Sequence, residues 1–398
     1  MIPVRSIRAA DYTYHLPAER IALHGLQPRD EAKMLCYRKG QLEEKRFYDL
    51  PELVLPGSLL VFNETRVIHA RIMVLNKNGA WIEVFLLEPV SPHPEMSLAL
   101  RQQGSCIWRC YVGNAKKWKD EILVPKSGSP AMELVSRDEA FYYVRFEWKE
   151  PVPFGALLHS AGQIPLPPYM KREAGQEDET RYQTVFAREE GSVAAPTASL
   201  HFTEPVLDGL KARHIETASV VLHVGAGTFT PVKTETLGEH EMHEEKISVP
   251  LVTIRKLIQH PHIIAAGTTS LRTLESLYWM GKKILLEKEP TDLVTDQWMP
   301  YDYHPEFTPT REESLQALAG WMERRGMERL DAATRLLIVP GYEFRVVNTL
   351  ITNFHQPGST LLLLVAAFLG EAWKTVYDYA LTHEFRFLSY GDASLLSR

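Results

Sequence analysis

Three histidines stand where an apolar run meets a small or polar loop: His201 in PTASLHF, His223 in VVLHVGAGTF and His355 in ITNFHQP. An imidazole at such a strand edge can carry a proton near neutral pH, and it can equally be a satisfied structural donor. Asp392, in the tight turn SYGDA, can grip sugar hydroxyls or cap its own turn. GTTS, with Thr268, Thr269 and Ser270, opens a helix after a strand, where free backbone N–H groups and hydroxyls suit a carboxylate, a phosphate or ribose oxygens. The glycine turn HVGAGTF lacks the third glycine of a dinucleotide fingerprint. Gly225 and Gly227 there suit a close backbone approach to a ligand instead. His240 and His243 in HEMH have a spacing compatible with a metal, but no HExxH and no CxxC accompanies them, so no metal site is expected. KKWK (residues 116–119), with Trp118 interleaved, and MKR (170–172) suit a nucleic-acid backbone, although such runs are by default solvated faces.

Those groups need elements to hold them. LPAERIAL reads as a short helix, and DLPELVLPGSLLVFN as a turn feeding a buried strand. ARIMVL, NKNG and AWIEVFLLEP form a hairpin signal, and CIWRCYV, EILVP, AMELVS and FYYVRFEW follow at short intervals. This texture predicts a small β-barrel or curled sheet. Beyond PVPFG the pattern becomes strand-then-helix. In HIIAAGTTSLRTLESLYWM, Leu271, Leu274, Leu277 and Tyr278 share a face that Arg272 and Glu275 lie off. Thr310 and Glu313 have capping-box spacing before SLQALAGWMERR, which Gly326 closes. The expected fold is an α/β (α+β) main domain, residues 1–65 and 150–398, with a small β-barrel domain, 66–149, inserted in it; ligands then belong at the strand ends.

The chain has 398 residues, 45% hydrophobic and 24% charged, which is ordinary globular composition. Its longest apolar run, LLLLVAAFL, is far short of the ~20 residues of a membrane span, and the N-terminus lacks the apolar block of a signal peptide. Three cysteines without a CxxC pair predict no disulfide framework and a cytoplasmic setting. Two domains of this size can bury adequate cores alone, so a monomer is expected. A net charge of −6 gives no global attraction to nucleic acid; a polyanion partner requires local basic patches.

Taken in order, YHLPAERIA, RDEAKML, LLVFNETRVIHAR, IPLPPYMKR, DETRYQTVFAREEGSVAAPTASLHFT, LHVGAGTFTPV, HEMHEE, GTTSLRTLES, PGYEF, LITNFHQPGSTLLLLVAAF and RFLSYGDASLL resemble one family. It is the S-adenosylmethionine:tRNA ribosyltransferase-isomerases of queuosine biosynthesis, and the matches run from about Tyr14 to Leu396. The resemblance implies an α/β domain carrying a β-barrel. It also implies that the ribosyl group of S-adenosylmethionine moves to the aminomethyl nitrogen of preQ1 at the tRNA wobble position, is rearranged to an epoxycyclopentane, and leaves adenine and methionine behind. S-adenosylmethionine would be consumed as a co-substrate, with no cofactor or metal. His201, His223 and His355 become the candidates for proton transfer, with Asp392 beside them. Arg181, Arg272 and the Thr268, Thr269 and Ser270 hydroxyls would hold the methionine carboxylate or a tRNA phosphate. Glu275 or Asp392 would bind hydroxyls or ammonium, and Phe229, Phe354 or Tyr390 would face the sulfonium. Thr197, Gly225, Gly227 and Asn353 complete the implied binding set.

The chain departs from the family pattern at Ser199, where Gly is usual, at Asn348, where Asp is usual, and at Gln356 and Gly358. A longer segment, from about Lys283 to Arg335, replaces the short loop before PGY. Other readings are a related S-adenosylmethionine-consuming transferase acting on another RNA or a small molecule, a non-catalytic tRNA-binding protein, and a metal hydrolase.

Overall fold

A computed structural model describes residues 4–138, 141–225 and 232–398. Its strands, in chain order, are β1 Lys33–Arg38, β2 Gln41–Arg46, β3 Leu59–Asn63, β4 Thr65–Val67, β5 Arg71–Leu75, β6 Trp81–Ser91, β7 Ser105–Gly113, β8 Ala131–Arg137, β9 Tyr142–Glu147, β10 Glu189–Ser192, β11 Glu216–Leu222, β12 Glu245–Pro250, β13 Ile263–Ala266, β14 Val294–Thr295, β15 Arg329–Thr334, β16 Thr349–Asn353 and β17 Ala393–Ser397.

Ten of them form one mixed sheet in the order β14-β15-β12-β11-β3-β13-β16-β17-β1-β2. Its centre, β11-β3-β13-β16, is parallel. β13, with the sequence IIAA, is buried along its whole length, as a strand covered on both faces must be. All four central strands therefore end on the same side, where β13 runs into Gly267 and β16 into Phe354 and His355. The strand ends of such a sheet are where a ligand site is expected.

The helix Thr268–Glu287 leaves that edge. Its sequence shows one apolar face, yet Arg272, Glu275, Ser276 and Lys282 are buried as well. One reason is the helix Arg311–Arg324, which lies against it and has the capping box read from Thr310 and Glu313 in full. At their contact, a Cβ on Gly281 would stand 2.0 Å from the carbonyl oxygen of Ser314. Because that oxygen is backbone, it cannot step aside. Gly281→Ala is expected to cost about 1–3 kcal/mol or more, read as a lower thermal midpoint; an unchanged midpoint would mean the helices can separate freely.

The second sheet has the order β5-β6-β7-β9-β8, antiparallel throughout. Alternate residues of β6 and β7 (Ile82, Val84, Leu86; Cys106, Trp108, Cys110) face a core separate from that of the main sheet. Of the small β-barrel or curled sheet that the sequence predicts, a curled antiparallel sheet forms. Among the described residues β5 and β8 are edges that do not pair with each other, and EILVP contributes only a bridge from Leu123 to Met132. Ala99 and Leu100, from Met96–Arg101, and Phe154, Leu157 and Leu158, from Phe154–Ala161, cover the inner face, so the core is closed by helices.

LPAERIAL is also not an α-helix. Only Ala18–Arg20 turns, as a 3-10 segment, because Ile21 and Ala22 are drawn into extended pairing with Phe387. The three cysteines are free, and Cys106 and Cys110 are core residues. No single helix among the described residues is long and apolar enough to cross a membrane; the LLLLVAAFL run lies in Thr360–Leu369, which bends by 114° into Ala372–Thr382.

Candidate functional site

At the strand ends lies a cleft, where an α/β sheet places its ligands. Its walls come from three segments. The small-residue run contributes Ala194–Ala198, the turn after β13 contributes Gly267–Thr269, and the end of β16 contributes Thr352–Gln356. Tyr169, Val224, Leu388 and Ser389 close the rest.

The small-residue run is tied down at its start. The Ser192 hydroxyl donates to the carbonyl of Ala194 (2.7 Å) and accepts from the N–H of Val224 (3.0 Å), which docks the run on the exit of β11. Further on the run passes close to the turn after β13: a Cβ on Gly267 would stand in van der Waals contact with that of Ala198 at 3.7 Å. Gly267 itself has φ +94°, a conformation that glycine adopts without strain. No side chain caps the helix that follows. Its first N–H groups and positive dipole end therefore stand at the cleft wall beside Thr268 and Thr269. The Thr269 hydroxyl oxygen is buried without a hydrogen-bond partner among the described residues, which marks it as a group that a ligand can satisfy.

The loop after β16 is held from both sides. The His355 N–H donates to the Tyr377 hydroxyl (3.1 Å), and the Tyr14 hydroxyl donates to the His355 carbonyl. In the cleft, His355 Nε2 is 2.8 Å from the Thr352 hydroxyl. Burial alone pushes this imidazole down to about 3, so it is neutral at physiological pH, a weak base whose Nε2 is held by Thr352. Asn353 accepts from the Thr197 hydroxyl (2.8 Å), and its amide nitrogen lies 3.4 Å from His201 Nε2. His201 is thus behind Asn353 and not in the cleft wall, packed against the ring of Phe47 at 5.2 Å. Burial lowers it to about 4, with Asp392 opposing. The Tyr169 and Ser389 hydroxyls bond to each other, and burial raises the Tyr169 phenol to about 12.

Of the residues singled out in the sequence, the structure brings Thr197, Thr268, Thr269, Asn353, Phe354 and His355 to the cleft. The others stand elsewhere. His223 bonds the Thr65 hydroxyl (3.0 Å), and burial lowers its pKa. Asp392 caps its own turn, accepting from the N–H groups of Lys33 (3.1 Å) and Arg386 (2.8 Å). Tyr390 donates to Asp178 (2.7 Å), and Arg181 pairs with Glu177 (3.1 Å). Ser270 donates back to the carbonyl of Ala266, at the end of β13 (2.8 Å). Arg272 pairs with the buried Glu245 of β12 and donates to the Leu336 carbonyl. Glu275 accepts from Tyr342 and from the backbone of Arg345, Val346 and Val347. Gly225 is exposed and does not line the cleft; Gly227 and Phe229 lie outside the described residues. Tyr169, Leu388 and Ser389 escaped the sequence reading of the site. IPLPPYMKR and RFLSYGDASLL hold them, but only tertiary contact shows that Tyr169 meets Ser389.

A wider and more open cleft of about 1060 Å³ lies between Glu241, Met242 and the segment 296–303, with Arg335. Three carboxylates, from Glu241, Asp296 and Asp302, stand there. Among the described residues no group of three or more His, Cys, Asp or Glu side chains is placed to hold a metal ion.

His201, which is buried, and His355, which is partly buried, make stability depend on pH. In the unfolded chain each titrates near 6.5, whereas the folded rings resist protonation until about 4 and about 3. Their contribution is complete above pH 6.5 and is lost as the pH falls from there towards the folded values. Each ring is expected to cost about 1 kcal/mol per pH unit over that window. Thermal midpoints at pH 7, 6 and 5 should therefore fall steadily, and less steeply for His201→Gln. A profile that is flat between pH 7 and 5 would contradict the burial of both rings.

Comparison with known proteins adds three kinds of likeness. A family model described as queuosine biosynthesis protein matches residues 9–396. The S-adenosylmethionine:tRNA ribosyltransferase-isomerase of Aromatoleum aromaticum is 38% identical over 397 residues, covering 98% of each chain. Those of Xanthomonas oryzae and Citrifermentans bemidjiense are also 38% identical, covering 98% and 97% of this chain and 97% and 99% of theirs. The crystal structure of an S-adenosylmethionine tRNA ribosyltransferase from Thermotoga maritima is 28% identical, covers 97% of this chain and 99% of its own, and superposes with a TM-score of 0.47.

Proposed function

The chain belongs to the queuosine biosynthesis protein family, and from that premise we propose how its cleft carries out the reaction. It is an S-adenosylmethionine:tRNA ribosyltransferase-isomerase. It transfers and isomerises the ribosyl group of S-adenosylmethionine onto preQ1 in tRNA, forming epoxyqueuosine and releasing adenine and methionine. The observation that carries the site assignment is the uncapped start of the helix Thr268–Glu287 beside the unpartnered Thr269 hydroxyl.

In this reading the methionine carboxylate sits on the N–H groups of Thr268 and Thr269, where the helix dipole favours negative charge. Phe354 and Tyr169 offer ring faces to the sulfonium, in a cleft wall that has no carboxylate. The sulfonium acidifies the adjoining ribose carbon, and His355, neutral and fixed by Thr352, accepts the proton. Asn353, held by Thr197 and His201, orients ribose or base. Tyr169 and Ser389 supply hydroxyls to the departing adenine or to the incoming deazaguanine.

Residues 1–65 and 150–398 act in this reading as the catalytic unit, and 66–149 as a unit inserted into it; the second sheet's own core supports an inserted unit, with Phe154, Leu157 and Leu158 completing that core from beyond residue 149. A cytoplasmic monomer that needs no cofactor fits the same reading. The test is adenine release from S-adenosylmethionine with and without tRNA carrying preQ1. Release that requires the modified tRNA is expected. Release with unmodified tRNA only, or none, would overturn the reading.

A further inference from the structure

A chain of net charge −6 that acts on tRNA must keep its cations in one place. The KKWK run falls in the segment between β7 and β8, at the outer end of the second sheet. Its tryptophan is not a stacking platform: Trp118 is buried, and its indole N–H donates to the Glu121 carbonyl (2.9 Å). With Trp118 turned in, Lys116, Lys117 and Lys119 are turned out and exposed.

The exposed aromatic comes from the neighbouring hairpin. Trp81, the first residue of β6, is 46% exposed, and three contacts bind the hairpin tip to the lysine segment. Asn114 donates to the Trp81 carbonyl (3.0 Å), Asn76 donates to the Lys117 carbonyl (2.9 Å), and the Lys77 N–H donates to the Glu121 carboxylate (3.1 Å). Lys126 adds its ammonium 5.9 Å from the centre of the Trp81 ring. None of Lys77, Lys116, Lys117, Lys119 and Lys126 is in an ion pair among the described residues, whereas Lys45, Lys246, Lys256, Lys283 and Lys374 are. Against these five lysines the stretch carries two carboxylates, Asp120 and Glu121, the second accepting from the Lys77 N–H.

We propose that this platform, an exposed Trp81 with Lys126 beside it and the unpaired Lys77, Lys116, Lys117 and Lys119 on the segments bonded to its hairpin, is where the substrate tRNA rests outside the cleft. The proposal rests on the function given above. Its chemistry is that of single-strand and backbone recognition: lysines neutralise phosphates, and the indole face takes an unstacked base or a ribose. The sheet places the platform a strand's length, on the order of 17 Å, from the point where β5 leaves the main body, a separation that an RNA stem can span.

The test uses the full chain and tRNA carrying preQ1, with affinity measured across a salt series for the parent, Trp81→Ala, Trp81→Phe and the double variant Lys116→Ala/Lys117→Ala. A charge-matched control, Lys211→Ala/Arg213→Ala, removes two exposed cations at the end of the helix Glu204–Ala212. The lysine variant is expected to bind about tenfold more weakly, with a slope of log affinity against log salt shallower by about 1.5. Trp81→Ala is expected to lose about tenfold and Trp81→Phe to recover most of it. Turnover at saturating tRNA and the KM for S-adenosylmethionine should stay at parent values. Affinities and slopes within about twofold of the parent, or an equal loss in the control, would overturn the proposal, the former leaving the surface to an acidic protein partner. Adenine release by the parent in the same assays separates this failure from failure of the function itself.

Discussion

His355→Ala is expected to slow adenine release by about 10²- to 10⁴-fold, the span usual for removing a positioned proton acceptor, with the thermal midpoint nearly kept. His355 is the one histidine of the three candidates that the structure places in the cleft wall. Its backbone is fixed by Tyr14 and Tyr377 whatever its side chain is, so truncation should leave the loop in place. The acid limb of the pH–rate profile should not fall near 6.5, where an ordinary imidazole titrates, because burial keeps this ring neutral far below that. His201→Ala should act differently. It reaches the cleft only through Asn353, so its effect should appear as much in KM as in turnover. Single-turnover adenine release across pH 5 to 8 decides between them. Full activity of His355→Ala, with loss on His201→Ala or His223→Ala, would move proton transfer out of the cleft as described.

Glu275→Ala is expected to cost about 3–5 kcal/mol of stability, because it strands several buried donors at once. Both Glu275 oxygens accept: one from Tyr342 and the Arg345 N–H, the other from the N–H groups of Val346 and Val347. Burial raises its pKa against those four donors, and the charge-assisted bonds hold the PGYEF loop to the long helix. Trp279 joins the same cluster by donating to the Tyr342 hydroxyl (2.9 Å). Glu275 thus anchors the loop through both of its oxygens. Differential scanning calorimetry of the variant, with S-adenosylmethionine affinity measured where it remains folded, tests this. A lowered midpoint with unchanged affinity is the expected pair of results. Lost affinity at an unchanged midpoint would return Glu275 to the ligand.

The strand-then-turn signals were legible in the sequence because they are local. GTTS after IIAA and NFH after LIT place Thr268, Thr269, Asn353 and His355 at strand ends, and the structure gathers them in one cleft. Arg272 and Glu275 lie off the apolar stripe as read, but the stripe does not show where they stand: a helix covered by β-sheet on one side and by another helix on the other buries its polar face too, and both residues find protein partners there. The same cause hid Trp118: alternation along KKWK cannot say which side chain the loop turns inward. Of the small barrel or curled sheet read from the strand texture, a curled sheet forms, and its inner face is covered by two helices, Met96–Arg101 from between β6 and β7 and Phe154–Ala161 from beyond β9, which the strand signals alone do not show. His201 was the costliest to read. Its place beside the small-residue run is right, yet the residue that reaches the cleft from that position is Asn353, distant in sequence.

The most direct measurement is a crystal structure with S-adenosylmethionine bound. The account predicts density in the cleft between the small-residue run and the helix start, with the carboxylate within hydrogen-bond distance of the Thr268 and Thr269 N–H groups and the ribose facing His355. Density in the wider cleft beside Trp298 and Arg335, with the strand-end cleft empty, would contradict it.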